Sequence, residues 1–91
     1  MLFMVIERFA PGAIPDIYRQ PRDKGRSLPA GLTYVDSWIE ASFARCFQLM
    51  ECDDARLLQE GALQWGALAE IEIVPVVPSA QTQEVVKPFL G

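Results

Sequence analysis

Residues 32–52 read LTYVDSWIEASFARCFQLMEC. Two runs rich in β-branched and aromatic residues, 32–40 (LTYVDSWIE) and 44–52 (ARCFQLMEC), are joined by a few residues around positions 41–43. That pattern predicts a β-hairpin. With Ile39 opposite Ala44, Trp38 would face Arg45, Asp36 would face Phe47 and Tyr34 would face Leu49. A slip of one residue would send each of these side chains to the other face, so the pairing is specified only as far as the strands stay regular. Period two puts Tyr34, Asp36 and Trp38 on one face of the first strand, and Arg45, Phe47, Leu49 and Glu51 on one face of the second.

The hairpin is flanked by two further strand–helix units. Downstream, Asp53-Asp54 reads as a helix start, because a carboxylate accepts free amides and suits the positive end of the helix dipole. The helix should run to about Ala67, with Leu57, Leu58, Gly61, Ala62, Trp65, Leu68 and Ala69 on one side. Gly61 weakens it by about 1 kcal/mol relative to alanine. Residues 70–77 (EIEIVPVV) read as the last strand, and Pro75, which cannot donate to a ladder, places it at a sheet edge. Upstream, residues 2–9 (LFMVIERF) form a short apolar run ending at Ala10-Pro11-Gly12, a strand followed by a turn. Residues 14–28 carry Ile14, Ile17, Tyr18 and Leu28 at helical spacing, with Pro15 in a first turn. Pro21 removes a hydrogen bond and clashes with the preceding turn, so a kink or break is expected near Gln20, with a second short turn to Arg26.

The order β-α-β-β-α-β gives an α+β fold: a four-stranded antiparallel sheet with two helices on one face. Right-handed crossovers then select the strand order 4-1-3-2. The first strand is apolar on both sides, Phe3, Val5 and Phe9 on one and Leu2, Met4 and Ile6 on the other. Helices cover only one sheet face, so the other needs a cover, and a second copy of the chain supplies it. A homodimer through the sheet face is therefore expected, and a charge at Met4 or Ile6 should dissociate it. The domain is expected to occupy residues 1–78. Residues 79–91 form a tail, polar at first and then apolar at Val85, Val86, Phe89 and Leu90, which should dock on its own or the partner subunit.

Composition limits the chemistry. At 91 residues, 51% hydrophobic, the chain is one domain, burying roughly 60–65% of its extended surface. Its net charge of −4 has the wrong sign for nucleic acid or an anionic membrane surface. Half of the basic residues, Arg19, Arg22, Lys24 and Arg26, fall within one short stretch, which reads as a solvated helix end. No stretch has the form of a signal peptide or membrane span, so a cytoplasmic location is expected. There is no histidine. That rules out a Ser-His-Asp triad, and with no metal-ligand spacing at the cysteines neither a metal site nor a cofactor is expected. Cys46 and Cys52 lie six apart in one strand, about 20 Å along it. A disulfide needs roughly 7 Å or less between Cα atoms, so they read as unbridged small hydrophobes.

The remaining constellation is polar and aromatic: Tyr34, Asp36, Trp38, Arg45 and Glu51 on the middle strands, with Trp65 on the second helix. A pocket with an aromatic wall, one cation and one carboxylate suits a small aromatic, apolar or planar anionic ligand. In a catalytic version Asp36 is the general base, Arg45 stabilises an oxyanion, and Tyr34 stands beside them. The plainer reading is a cross-strand cation–π contact and an ion pair that hold the sheet together.

The segments LFMVIERF, GRSLPAGLTYVDSW, RCFQLMECDD and IEIVPV together resemble a family of small bacterial proteins classed as a domain of unknown function. YVDSW and RCFQLMECDD are the most distinctive. The resemblance extends to the dimeric α+β barrel group, ferredoxin-like in topology, and implies that fold and dimerisation. It implies no activity, since related groups include cofactor-free oxygenases, lactone isomerases, haem-degrading enzymes and ligand-sensing domains. Pro21 and Gly61 depart from a regular helix in the family pattern. Three functions stay open: a binding or structural module without catalysis; a cofactor-independent enzyme on a small aromatic or lactone-like substrate, which needs a pocket of ~300 Å³ or more holding Tyr34, Asp36 or Arg45; and a regulatory or interaction subunit with an exposed apolar patch.

Overall fold

The computed structural model describes residues 1–24 and 28–91, with side chains described for 1–19 and 28–91. Four strands, β1 (Leu2–Phe9), β2 (Thr33–Ile39), β3 (Arg45–Glu51) and β4 (Ala69–Val76), form one antiparallel sheet in the order β2-β3-β1-β4. From the opposite edge this is the expected 4-1-3-2, with Pro75 on the edge strand β4. Helix α1 (Ile14–Lys24) connects β1 to β2, and α2 (Arg56–Trp65) connects β3 to β4. A third helix, α3 (Ser79–Val86), follows β4, and a single 3-10 turn, Lys87–Phe89, ends the chain. The tail, to which the sequence pattern assigned no element, is thus largely helical.

The turns follow from residue type. Gly12 and Gly31 hold φ of +78° and +90°, a region glycine enters without penalty. They end β1 and begin β2. α1 runs as one helix past Pro21, where a break was expected, and its start at Ile14 and Pro15 in its first turn agree with the sequence pattern. The expected further turn, Gly25 and Arg26, lies outside the described residues. So do the side chains of Arg22 and Lys24, while Arg19 pairs with Asp16 at 2.8 Å. α2 starts as expected: the Asp54 carboxylate accepts the Arg56 amide at 3.0 Å and its guanidinium at 2.7 Å. Its end, Trp65, comes two residues before the expected Ala67, and Gly66 lies in the turn beyond it.

The two faces of the sheet differ. β1 alternates, with Phe3, Val5 and Glu7 buried. Their ladder partners are Met50, Gln48 and Cys46 on β3 and Pro75, Ile73 and Ile71 on β4. The core lies on this side: Phe3, Val5, Met50, Cys52 and Leu58, with Leu32, Tyr34, Leu57, Ile71 and Ile73 packed around it. Leu57 and Leu58 come from α2. Right-handed crossovers place α1 on the same side, and Ala13 and Ile17 are buried there. Each fully buried side chain of this size contributes about 1.5–3 kcal/mol.

The opposite face carries Leu2, Met4 and Ile6 of β1, Phe47 and Leu49 of β3, and Val74 and Val76 of β4, paired in register. All are half-buried by their strand neighbours. The helix residues packed in the core, Leu57 and Leu58, lie on the other side, in keeping with helices on one face of the sheet.

Neither cysteine is in a disulfide, as expected from their separation. Cys52 is buried and its thiol donates to the Asp54 carbonyl at 3.4 Å.

Candidate functional site

The hairpin register differs from the expected one, and the difference decides where the candidate residues point. Ile39 pairs with Cys46, Trp38 with Phe47, Asp36 with Leu49 and Tyr34 with Met50. From Ile39 to Asp36 the shift is two residues, which preserves faces. Between Tyr34 and Asp36 the register slips: Val35 is an extra residue, a β-bulge that sets two residues against one. Tyr34 therefore leaves the face of Asp36 and Trp38 and joins the core side, where it packs on the cluster of Phe3 and Met50. Its hydroxyl hydrogen-bonds the Ser37 hydroxyl, three residues on, on the same side. The shared face expected for Tyr34, Asp36 and Trp38 is thus corrected to Asp36 and Trp38 alone.

The other candidates do not converge. Asp36 turns back on its own strand, its Oδ1 accepting the Ser37 amide at 2.8 Å. Trp38 lies half exposed on the open face beside Phe47. Glu51 is on the same face at the opposite end of β3 from Arg45, about 20 Å away along the strand. Trp65 is the last residue of α2, on the helical side of the sheet.

Arg45 is held by its own hairpin. Its Nε donates to Glu40 Oε1 at 2.7 Å and a terminal nitrogen donates to Oε2 at 3.2 Å. This two-pronged pair fixes the guanidinium plane, and Cζ stands 5.0 Å from the centre of the Phe47 ring. Arg45 thus has an ion pair with Glu40 at the hairpin end, and its cation–π contact is with Phe47 two residues along the same strand, not across strands as the plainer reading had it. Arg45 faces Arg8 across the β1–β3 ladder, and Arg8 pairs with Glu72 at 3.1 Å. One end of the open face is therefore a charged band, with Arg45 and Arg8 side by side between Glu40 and Glu72, and the rest is apolar apart from Asp36 and Glu51. The Arg45 hydrogen bond, helped by the positive charges of Arg45 and Arg8, holds the Glu40 carboxyl below its ordinary range. The Asp54 carboxyl is lowered by the hydrogen bonds from Arg56.

Two features escaped the sequence reading. Glu7 is 6% exposed, on the core side of β1 opposite Cys46 and Ile71. The signal was present, since position 7 falls between Val5 and Phe9 on the inward set. The second is an open groove of about 500 Å³ between α2 and the β4 edge, lined by residues including Ala62, Leu63, Ile71 and Ile73. It exceeds the size a small ligand needs, yet neither Tyr34, Asp36 nor Arg45 lines it. Among the described residues no cluster of His, Cys, Asp and Glu has the geometry to hold a metal ion, and no helix is long and apolar enough to cross a membrane.

No curated protein and no solved structure matches the chain. One family does, and it covers the β-α-β-β-α-β unit and the C-terminal arm together: the chain belongs, over residues 1–90, to the domain of unknown function DUF3303.

Proposed function

We propose that this chain works as a homodimeric α+β barrel module with a ferredoxin-like chain path, a structural and small-molecule-binding unit without catalysis of its own. The observation that carries this is the open sheet face, where Leu2, Met4, Ile6, Phe47, Leu49, Val74 and Val76 form a continuous apolar surface bounded at one end by Glu40, Arg45, Arg8 and Glu72. An exposed apolar patch of this kind with a polar rim suits an interface. Two such faces packed against each other stand about 10 Å apart, and Trp38 at the β2 edge offers an aromatic wall to a small apolar or aromatic ligand between them. The module reading is preferred to a cofactor-independent enzyme because the polar candidates are already committed. Arg45 is spent on Glu40 and Phe47, Asp36 on the Ser37 amide, and Tyr34 on the core.

Sedimentation equilibrium tests the interface. The natural chain is expected to sediment as a dimer, and Met4→Asp as a monomer with an unchanged circular dichroism spectrum. A natural chain that is monomeric, or a Met4→Asp variant that remains dimeric, would sink this assignment. Ligand binding is read from Trp38 fluorescence against a panel of small aromatic acids and phenols, with Trp38→Phe as the control that retains Trp65.

A further inference from the structure

Every residue from Val77 to Gly91 is exposed. α3 packs against the 3-10 turn that follows it and against no other element to any comparable extent. Yet the segment is not polar: Val85, Phe89 and Leu90 are 69%, 86% and 78% exposed. An eight-residue helix does not hold its shape in water unaided, since isolated helices shorter than about 12 residues are marginal. This one also lacks a side-chain cap at its start. A helical arm with exposed apolar side chains and nothing beneath it lacks a surface that would hold its shape.

The molecule's dimensions agree. Its radius of gyration is 15.5 Å and its longest extent 53 Å, whereas a compact chain of this length has a radius of about 12 Å. The exit from β4 is stiff. Pro78 sits at φ −54°, ψ 135°, and a proline restricts both itself and the residue before it to extended angles. The Val77-Pro78 pair therefore directs the arm away from its own body.

The occupant follows from area. A face of four strands, about 4.8 Å apart and about eight residues long at 3.3 Å each, presents roughly 500 Å². A stable pair of proteins needs roughly 800 Å² from each partner. The arm adds exposed apolar side chains, Val85, Phe89 and Leu90, to what the sheet face alone offers a partner. Eight helical residues and a 3-10 turn reach about 18 Å, close to the width of that face. The arm also springs from β4, whose Val74 and Val76 belong to the open face.

We propose that residues 79–91 are an exchanged arm: in the dimer, each copy lays Val85, Val86, Phe89 and Leu90 onto the apolar surface of the other. This rests on the sheet-face dimer proposed above.

The test uses the full chain, mixing isotope-labelled and unlabelled protein and recording isotope-filtered nuclear Overhauser spectra. The dimer dissociation constant is measured in parallel for the natural chain, for Phe89→Asp and for a chain ending at Pro78. Phe89 is exposed and buries nothing in its own copy, so its replacement leaves the body folded even if the truncation does not. Contacts from the Phe89 ring to the other copy, with dissociation at least tenfold weaker in Phe89→Asp, are expected. A dimer of unchanged affinity in Phe89→Asp, with Phe89 contacts confined to its own chain, overturns the arm and leaves the sheet interface standing. A natural chain that is monomeric throughout overturns both.

Discussion

Phe43 is the one described residue other than glycine with a positive φ, +63°, in the tight end of the β2–β3 hairpin. Its amide donates to the Glu40 carbonyl at 2.9 Å, which holds the turn in that shape. A left-handed conformation costs a bulky residue about 1–2 kcal/mol, and glycine would give back part of this in chain entropy. Phe43→Gly is expected to stabilise the protein by about 0.5–1 kcal/mol, raising the melting temperature by several degrees. An unchanged or lower value would show that the exposed ring makes contacts that matter. The adjacent Glu40–Arg45 pair sets a pH dependence. Because the folded Glu40 carboxyl titrates below the ordinary 4.5, its contribution is present above that value and is lost as pH falls through the lower folded value. The Asp54 carboxyl, also lowered by its arginine, behaves alike below its ordinary 3.8. Urea unfolding from near-neutral to acid pH is expected to show less acid-side loss in Glu40→Gln than in the natural chain. Equal curves would mean the pair adds nothing.

The helix α2 contributes Leu57 and Leu58 to the core, yet it carries Gly61 in its interior. A Cβ placed there would meet no atom within 4 Å. Alanine should therefore gain the full helix-propensity difference, and Gly61→Ala is expected to stabilise the protein by about 1 kcal/mol, measured by chemical denaturation. A loss would mean that the groove between α2 and β4 is needed in its present shape. In β2 the extra residue at Val35 shows how an element can satisfy its sequence pattern and still defeat a period-two reading. Both halves of the strand alternate correctly, and one inserted residue puts them out of phase.

The whole molecule divides into a body and an arm. Nothing in residues 79–91 is buried against the body, so the arm should add no stability to an isolated copy. In a Met4→Asp background, which removes the proposed interface, truncation after Pro78 is expected to change unfolding free energy by no more than about 0.5 kcal/mol, the range of substitutions away from structural contacts. A larger loss would show that the arm packs on its own chain.

The four strands, the two helices between them and the strand order were legible in the sequence, because each rests on local periodicity, turn residues and the handedness of crossovers; the continuity of α1 through Pro21 and the helix α3 were not. The face of Tyr34 was not, since the bulge at Val35 is settled by packing against Met50 rather than by any local preference. The partner of Arg45 was not either, because the turn's geometry, and not sequence distance, brings Glu40 to it. The burial of Glu7 and the helical form of residues 79–86 belong with these. What a side chain is buried against, or left without, is a property of the assembled sheet and helices, which only the tertiary structure decides.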